Sequence, residues 1–161
     1  MKILSPLSYS LLILAQTCMI SPTNASSGHS HAANPLASEQ PASSLNGGRI
    51  VQQASVHFEF FLRPDSLAQI TFLDANQQVI PVQQQSVSLV GGNRLDPVRI
   101  NFVAQAGHLL SERPLPLMRR MPVVLQIQNT PQSEKVYEKF YLDLSNCSSC
   151  DFQEYACICG H

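Results

Sequence analysis

Alternation of apolar and polar side chains is the feature that most limits the folds open to this chain. Side chains of successive strand residues point to opposite faces, so a period of two predicts a strand with one buried face. The clearest stretch has Val56, Phe58, Phe60 and Leu62 on one face and His57, Glu59 and Arg63 on the other, with Phe61 an exception. The same alternation marks Val98, Ile100, Phe102 and Ala104, then Val123, Leu125 and Ile127.

Shorter patterns predict four further strands, at residues 68–72, 79–82, 86–90 and 136–144. Turn residues at 64–66, 74–77 and 91–93 separate strands, and Pro81 suggests an edge or a bulge. Residues 106–121, with two prolines, are predicted to be a long loop. The core is expected to include Phe58, Phe72, Phe102 and Leu125.

About seven short strands without a helical stripe predict an all-β fold, an antiparallel immunoglobulin-like β-sandwich. A small open β-barrel is the alternative. The body, residues 49–145, is large enough to bury its own core. We therefore expect the residues that follow, 146–161, to lie outside that core as a Cys-rich metal-binding or disulfide knuckle.

The first 48 residues differ in composition from this body. Residues 1–25 resemble a secretory signal, with Lys2, an apolar run and small residues before Ser26. This predicts a periplasmic or secreted protein that does not span the membrane after cleavage. Lipidation at Cys18 and an uncleaved anchor are the alternatives. Residues 26–48 are polar and Pro- and Gly-containing, and predict a flexible tether.

Four of the five cysteines fall in the last fifteen residues, as Cys147, Cys150, Cys157 and Cys159. CxxC followed by CxC brings four sulfurs within reach of one ion, and thiolates select soft ions such as Zn(II) or Cu(I). Two disulfides are the rival, because the chain left after signal cleavage has an even number of thiols. In that case the two pairs must cross, since a 157–159 bridge is strained.

Histidines add nitrogen donors at both ends of the predicted mature chain. His161 is a candidate to replace one sulfur or to support the site, and His29 with His31 forms an HxH candidate for Cu(II) or Zn(II). No GxSxG is present and no cysteine lies within residues 49–145, so we expect no enzyme. The net charge of −1 argues against nucleic acid as a partner.

Several short motifs resemble a group of small exported bacterial proteins associated with RND-type heavy-metal efflux systems. The matching residues are Gly28-His29-Ser30-His31, Phe140-Tyr-Leu-Asp-Leu-Ser145, Cys147, Cys150 and Glu154-Tyr-Ala-Cys157-Ile-Cys159. The resemblance implies a role in metal handling and an envelope efflux protein as partner.

Three functions follow as hypotheses. The first is a periplasmic chaperone or buffer for a thiophilic ion. The second is a structural or interaction sandwich of the cell envelope, with a structural zinc or disulfide cap. The third is a thiol redox protein using Cys147 and Cys150, against which stands the absence of a thioredoxin-like βαβ pattern.

Overall fold

Eight strands form most of the chain that the computed structural model describes, which is residues 44–53, 55–116 and 118–159. They are β1 (Arg49–Gln53), β2 (Val56–Leu62), β3 (Ala68–Leu73), β4 (Ser86–Asn93), β5 (Asp96–Gln105), β6 (His108–Ser111), β7 (Arg120–Gln128) and β8 (Lys135–Asp143). Every pairing is antiparallel, and the order across the sheet is β1-β2-β3-β6-β5-β4-β7-β8. A short 3₁₀ helix, Glu154–Ala156, is the only helical element of the described residues. The prediction of an all-β antiparallel fold is confirmed.

The long strand β5 connects the two halves of this sheet. Its residues up to Asn101 pair with β4, whereas Phe102 and the residues after it pair with β6. Because the strand changes partners along its length, the sheet bends there instead of continuing flat.

The resulting curl brings the two edge strands, β1 and β8, close together. Arg49 Nη2 lies 3.2 Å from Glu138 Oε1, and Gln53 Nε2 donates to Glu138 Oε2 at 2.8 Å. On the inner face the rings of Phe60 and Phe140 meet edge to face, with centroids 5.1 Å apart. The sheet therefore encloses its core between strands that do not pair with each other.

The inner faces of all eight strands supply one contiguous core or pack against it. Its largest fully buried apolar side chains are Phe58, Phe60, Phe72, Ile70, Leu89, Ile100, Met121, Leu125, Ile127 and Leu142. Burial of Phe58, Phe72 and Leu125 is therefore confirmed. Phe102 is only half-buried, because it lies where β5 leaves β4 for β6.

The strand predicted at residues 79–82 is absent from the described structure. Val79 forms an isolated bridge with Leu73, and the Ile80 N–H donates to the Phe72 carbonyl at 3.0 Å. Pro81 follows and has no N–H with which to extend a ladder. The prediction was wrong because apolar residues alone do not provide strand hydrogen bonds.

Two segments predicted as turn or loop belong to strands. Residues 91–93 continue β4, where Gly91 pairs with both Val98 and Val123. The long loop predicted at 106–121 contains β6 and the start of β7. Ala106 and Gly107, with φ of 48° and 88°, form the two-residue hairpin between β5 and β6. The strand β1 (Arg49–Gln53) was not predicted from the sequence pattern.

Glu59 was predicted on the solvent face of its strand, but it is fully buried. Its carboxylate accepts hydrogen bonds from the Asn46 N–H at 2.8 Å, the Asn46 side-chain amide at 2.7 Å and the Gly48 N–H at 3.1 Å. A Cβ on Gly48 would lie 2.4 Å from the Phe60 carbonyl oxygen. Only glycine allows the backbone to approach β2 closely enough to satisfy this buried charge.

The burial of Phe58 gives a direct test of the fold. Phe58→Ala removes most of a fully buried ring, so we expect a loss of about 3–5 kcal/mol in the free energy of unfolding. Lys139→Ala, at an exposed position of β8, should change it by about 0.5 kcal/mol or less. Urea denaturation of both variants measures the difference. Equal losses would contradict this core.

Candidate metal centre

The path from β8 to the cysteines is set by a local turn. The Ser145 N–H donates to Asp143 Oδ1 at 3.1 Å, and the Ser145 hydroxyl donates to the same oxygen. These hydrogen bonds, the hydroxyl first, lower the pKa of Asp143 below its ordinary 3.8. The Leu144 N–H is held by the Arg119 carbonyl at 3.1 Å. The chain therefore leaves the sheet in a fixed direction.

A small backbone loop then carries the first two cysteines. Asn146 and Gln153 form an antiparallel bridge, and the Cys147 N–H donates to the Phe152 carbonyl at 2.9 Å. The Glu154 N–H donates to the Ser145 carbonyl at 2.8 Å. The loop is thus closed by backbone hydrogen bonds on both sides of Asn146.

The 3₁₀ helix after this loop is fixed in the core by Tyr155 and Ala156, each only 3% exposed. The Tyr155 ring packs edge to face on Phe60, with centroids 6.1 Å apart. Its hydroxyl accepts a hydrogen bond from the Leu62 N–H at 3.3 Å. The expectation that residues 146–161 lie outside the core is therefore wrong, because the side chains of Tyr155 and Ala156 belong to the core.

This frame brings the four sulfurs together. All four Sγ atoms lie within 4.8 Å of one another. Cys157 Sγ is 3.3 Å from Cys147 Sγ and 3.8 Å from Cys150 Sγ. Bonds of 2.3 Å in a tetrahedral zinc site place sulfurs about 3.8 Å apart. The four cysteines could bind one metal ion, as the sequence predicts.

Hydrogen bonds within the cluster shift the pKa values of its thiols in different directions. The Phe152 N–H, with help from the neighbouring cysteines, lowers the pKa of Cys150. Thiol hydrogen bonds with Cys150 and Cys157, together with burial, raise the pKa of Cys159 to about 12. The pKa of Cys157 is raised as well. The Cys159 N–H lowers this pKa, but hydrogen bonds with Cys147 and Cys150, together with burial, raise it by more. A bound cation would replace the protons that the cluster retains.

Exposure increases across the cluster. Cys147 is buried, Cys150 and Cys157 are half-buried, and Cys159 is exposed. The only charged residues from 146 to 159 are Asp151 and Glu154, both acidic. No side chain from 146 to 159 is cationic, so a bound metal ion would itself be the counter-charge to the thiolates that hold it.

The histidines predicted as ligands, His29, His31 and His161, lie outside the described residues, as do the signal and most of the tether. Sequence reasoning missed the anchoring role of Phe152 and Tyr155. Both residues are aromatic in a largely polar segment, a pattern that indicates burial.

Comparison of the chain with protein-family models, with curated proteins and with solved structures finds no match in any of the three. The resemblance to exported proteins of efflux systems therefore stays a prediction.

Tyr155 offers a test of the anchor. Tyr155→Ala should lower the free energy of unfolding by about 3–5 kcal/mol, as large aromatic truncations do. Tyr155→Phe keeps the ring and loses only the hydrogen bond from Leu62, so about 1 kcal/mol is expected. Chemical denaturation measures both. A harmless Tyr155→Ala would contradict the placement of the ring in the core.

The Asp143 turn gives a pH-dependent prediction. A carboxyl group whose pKa is lowered by folding stabilises the fold above its unfolded pKa, and this contribution disappears as the pH falls through the folded value. The stability difference between wild type and Asp143→Asn should therefore be full at neutral pH and shrink below pH 3.8. Thermal melts across this range measure it, with Ser145→Ala as a control that removes the main donor. A difference independent of pH would contradict the assignment.

Proposed function

We propose that this protein is a periplasmic metal-binding protein, a chaperone or buffer for a thiophilic ion, Zn(II) or Cu(I), accessory to heavy-metal efflux. One observation carries the proposal: four cysteine sulfurs converge near the surface on a frame that protein contacts alone hold together. A carrier needs such a site, because its ion must enter and leave without unfolding the chain.

The frame supports exchange of the ion. Backbone hydrogen bonds close the loop around Cys147, and Tyr155 fixes the segment in the core. The more exposed sulfurs, with Cys159 outermost, give an incoming ligand a place to attack. Partner thiolates can then displace the protein's sulfurs one at a time.

The donor set favours soft ions. Four thiolates in tetrahedral array suit Zn(II), and two or three of them suit Cu(I). The acidic surroundings add a general attraction for cations. Should His161 bind, it would replace one sulfur or support the site from outside the set of four donors.

Export and the efflux partner rest on the sequence. Residues 1–25 have the composition of a signal, and the terminal motifs resemble those of efflux-associated exported proteins. Across residues 44–53, 55–116 and 118–159, no helix has the length and apolar character needed to cross a bilayer.

A structural zinc or disulfide cap on an envelope interaction protein is the second candidate. Cys147 is buried, and Ala156, which directly precedes Cys157, belongs to the core. In that case an ion would fasten the knuckle to the sheet, and its binding free energy would add to folding stability.

Metal titration of the reduced mature chain, residues 26–161, tests the proposal. We expect one Zn(II) bound per chain with zinc–sulfur distances of about 2.3 Å by X-ray absorption. A variant with all four knuckle cysteines changed to Ser should lose this site. His29→Ala with His31→Ala should retain it, and Ser148→Ala, at an exposed loop position, serves as the matched control. Equal binding by wild type and the four-serine variant would contradict the proposal.

Removal of the ion separates the two candidates. Under the handling hypothesis, a chelator takes Zn(II) or Cu(I) faster than the chain unfolds, and the metal-free protein keeps its β-sheet circular dichroism. Under the structural hypothesis, removal is as slow as unfolding and is accompanied by cooperative loss of structure. Cooperative loss would replace the first candidate by the second.

A further inference from the structure

Two sulfurs from different sequence pairs lie close together in the cluster. Cys147 and Cys157, separated by eight residues of other types and by Cys150, have Sγ atoms 3.3 Å apart. Cys157 is also 3.8 Å from Cys150, so it lies near both sulfurs of the first pair. Neither CxxC nor CxC spacing would have selected this pair.

We propose that Cys147 and Cys157 form a reversible disulfide by exchange with a small-molecule disulfide, and that this oxidation releases the bound ion. The inference rests on the proposed metal-handling function and adds a regulation to the same site. The cluster would hold an ion when reduced and discharge it when oxidised.

The reaction balances as two thiol–disulfide exchanges. The half-buried Cys157 thiol gives up its proton, and its sulfur then attacks one sulfur of the small disulfide, forms a mixed disulfide and expels the first thiolate. Cys147, which is buried and thus shielded from the bulky oxidant, attacks the Cys157 sulfur and expels the second thiolate. Two protein thiols are oxidised, the small disulfide is reduced to two thiols, and the two protons from the cysteines end on them.

The frame keeps these two sulfurs near each other in the absence of an ion. Cys147 is held by its hydrogen bond to the Phe152 carbonyl, and Cys157 directly follows the buried Ala156. Closing the gap from 3.3 Å to the bonded distance of about 2.05 Å requires a shift of about 1.2 Å. The alternative within CxC would strain the backbone.

Oxidation of this pair removes two of the four sulfurs. Cys150 and Cys159, which are hydrogen-bonded to each other, are the two that stay as thiols. Two sulfurs cannot complete a tetrahedral four-sulfur site, so affinity for Zn(II) should fall steeply.

The test uses the reduced, metal-free mature chain with oxidised glutathione as the probe. After alkylation, peptide mass mapping should find Cys147–Cys157 as the first disulfide, with two glutathiones released per chain. Cys159→Ser should form the same bond. Cys147→Ser should accumulate a glutathione adduct at Cys157. A first disulfide at Cys147–Cys150 or Cys157–Cys159 would overturn the pairing.

A second arm follows the ion with a chromophoric chelator. Zn(II)-loaded protein should release one ion for each Cys147–Cys157 disulfide, with at least a tenfold loss of affinity, and dithiothreitol should restore binding. An oxidised protein that keeps its ion overturns the release step alone. A reduced protein that binds neither Zn(II) nor Cu(I) overturns the metal-handling function itself. The disulfide mapping of the metal-free protein does not depend on that result.

Discussion

The contact on which the structure depends is the packing of Phe60 against two other rings. Phe60 lies on β2, and its ring meets Phe140 of β8 and Tyr155 of the 3₁₀ helix. One contact closes the curl of the sheet, and the other fixes the cysteine knuckle to its inner face. Aromatic pairs of this kind contribute about 0.5–1.5 kcal/mol beyond the area they bury. The fold of the body and the position of the site are therefore coupled through one side chain.

This coupling changes how the knuckle should be understood. Its cysteines are on the surface side, but its centre is in the core, so it is neither a free appendage nor a separate metal-dependent module. A small zinc-dependent domain gains its folding free energy from the ion. Here apolar burial and backbone hydrogen bonds already fix the segment, and the binding free energy of an ion is available for selectivity and release.

Much of the fold could be predicted, because several strands show a regular alternation of apolar and polar residues. The apolar face of residues 123–127 is buried as the pattern predicts, and residues 56–62 follow the pattern except at Glu59. The strand predictions fail where backbone hydrogen bonding, and not the side-chain pattern, determines whether a strand forms. Residues 79–82 have strand-like side chains without a full ladder, whereas Gly91 and Gly92 have turn-like composition and lie within one. Glu59 was misplaced because its partners, on residues 44–48, come from outside the strand pattern.

For the candidate site, the sequence predicted which cysteines come together but not how they are arranged. The spacing of Cys147, Cys150, Cys157 and Cys159 suffices to propose a four-sulfur cluster. It does not show that Cys157 lies 3.3 Å from Cys147, since that depends on the bridge between Asn146 and Gln153 and on the helix that follows.

The packing of Tyr155 and Ala156 into the core has a further physical consequence for ion selection. The sulfurs lie on two short arms, one before Tyr155 and one after it, and only the middle of the segment is packed into the core. Backbone hydrogen bonds close the first arm, whereas the second arm ends at the exposed Cys159, so one side of the cluster is open to solvent. Selection then rests on the softness of the thiolates and on the charge that the cation must offset. A buffer or carrier of thiophilic ions requires this form of discrimination, whereas a site built for one structural metal enforces its geometry from all sides.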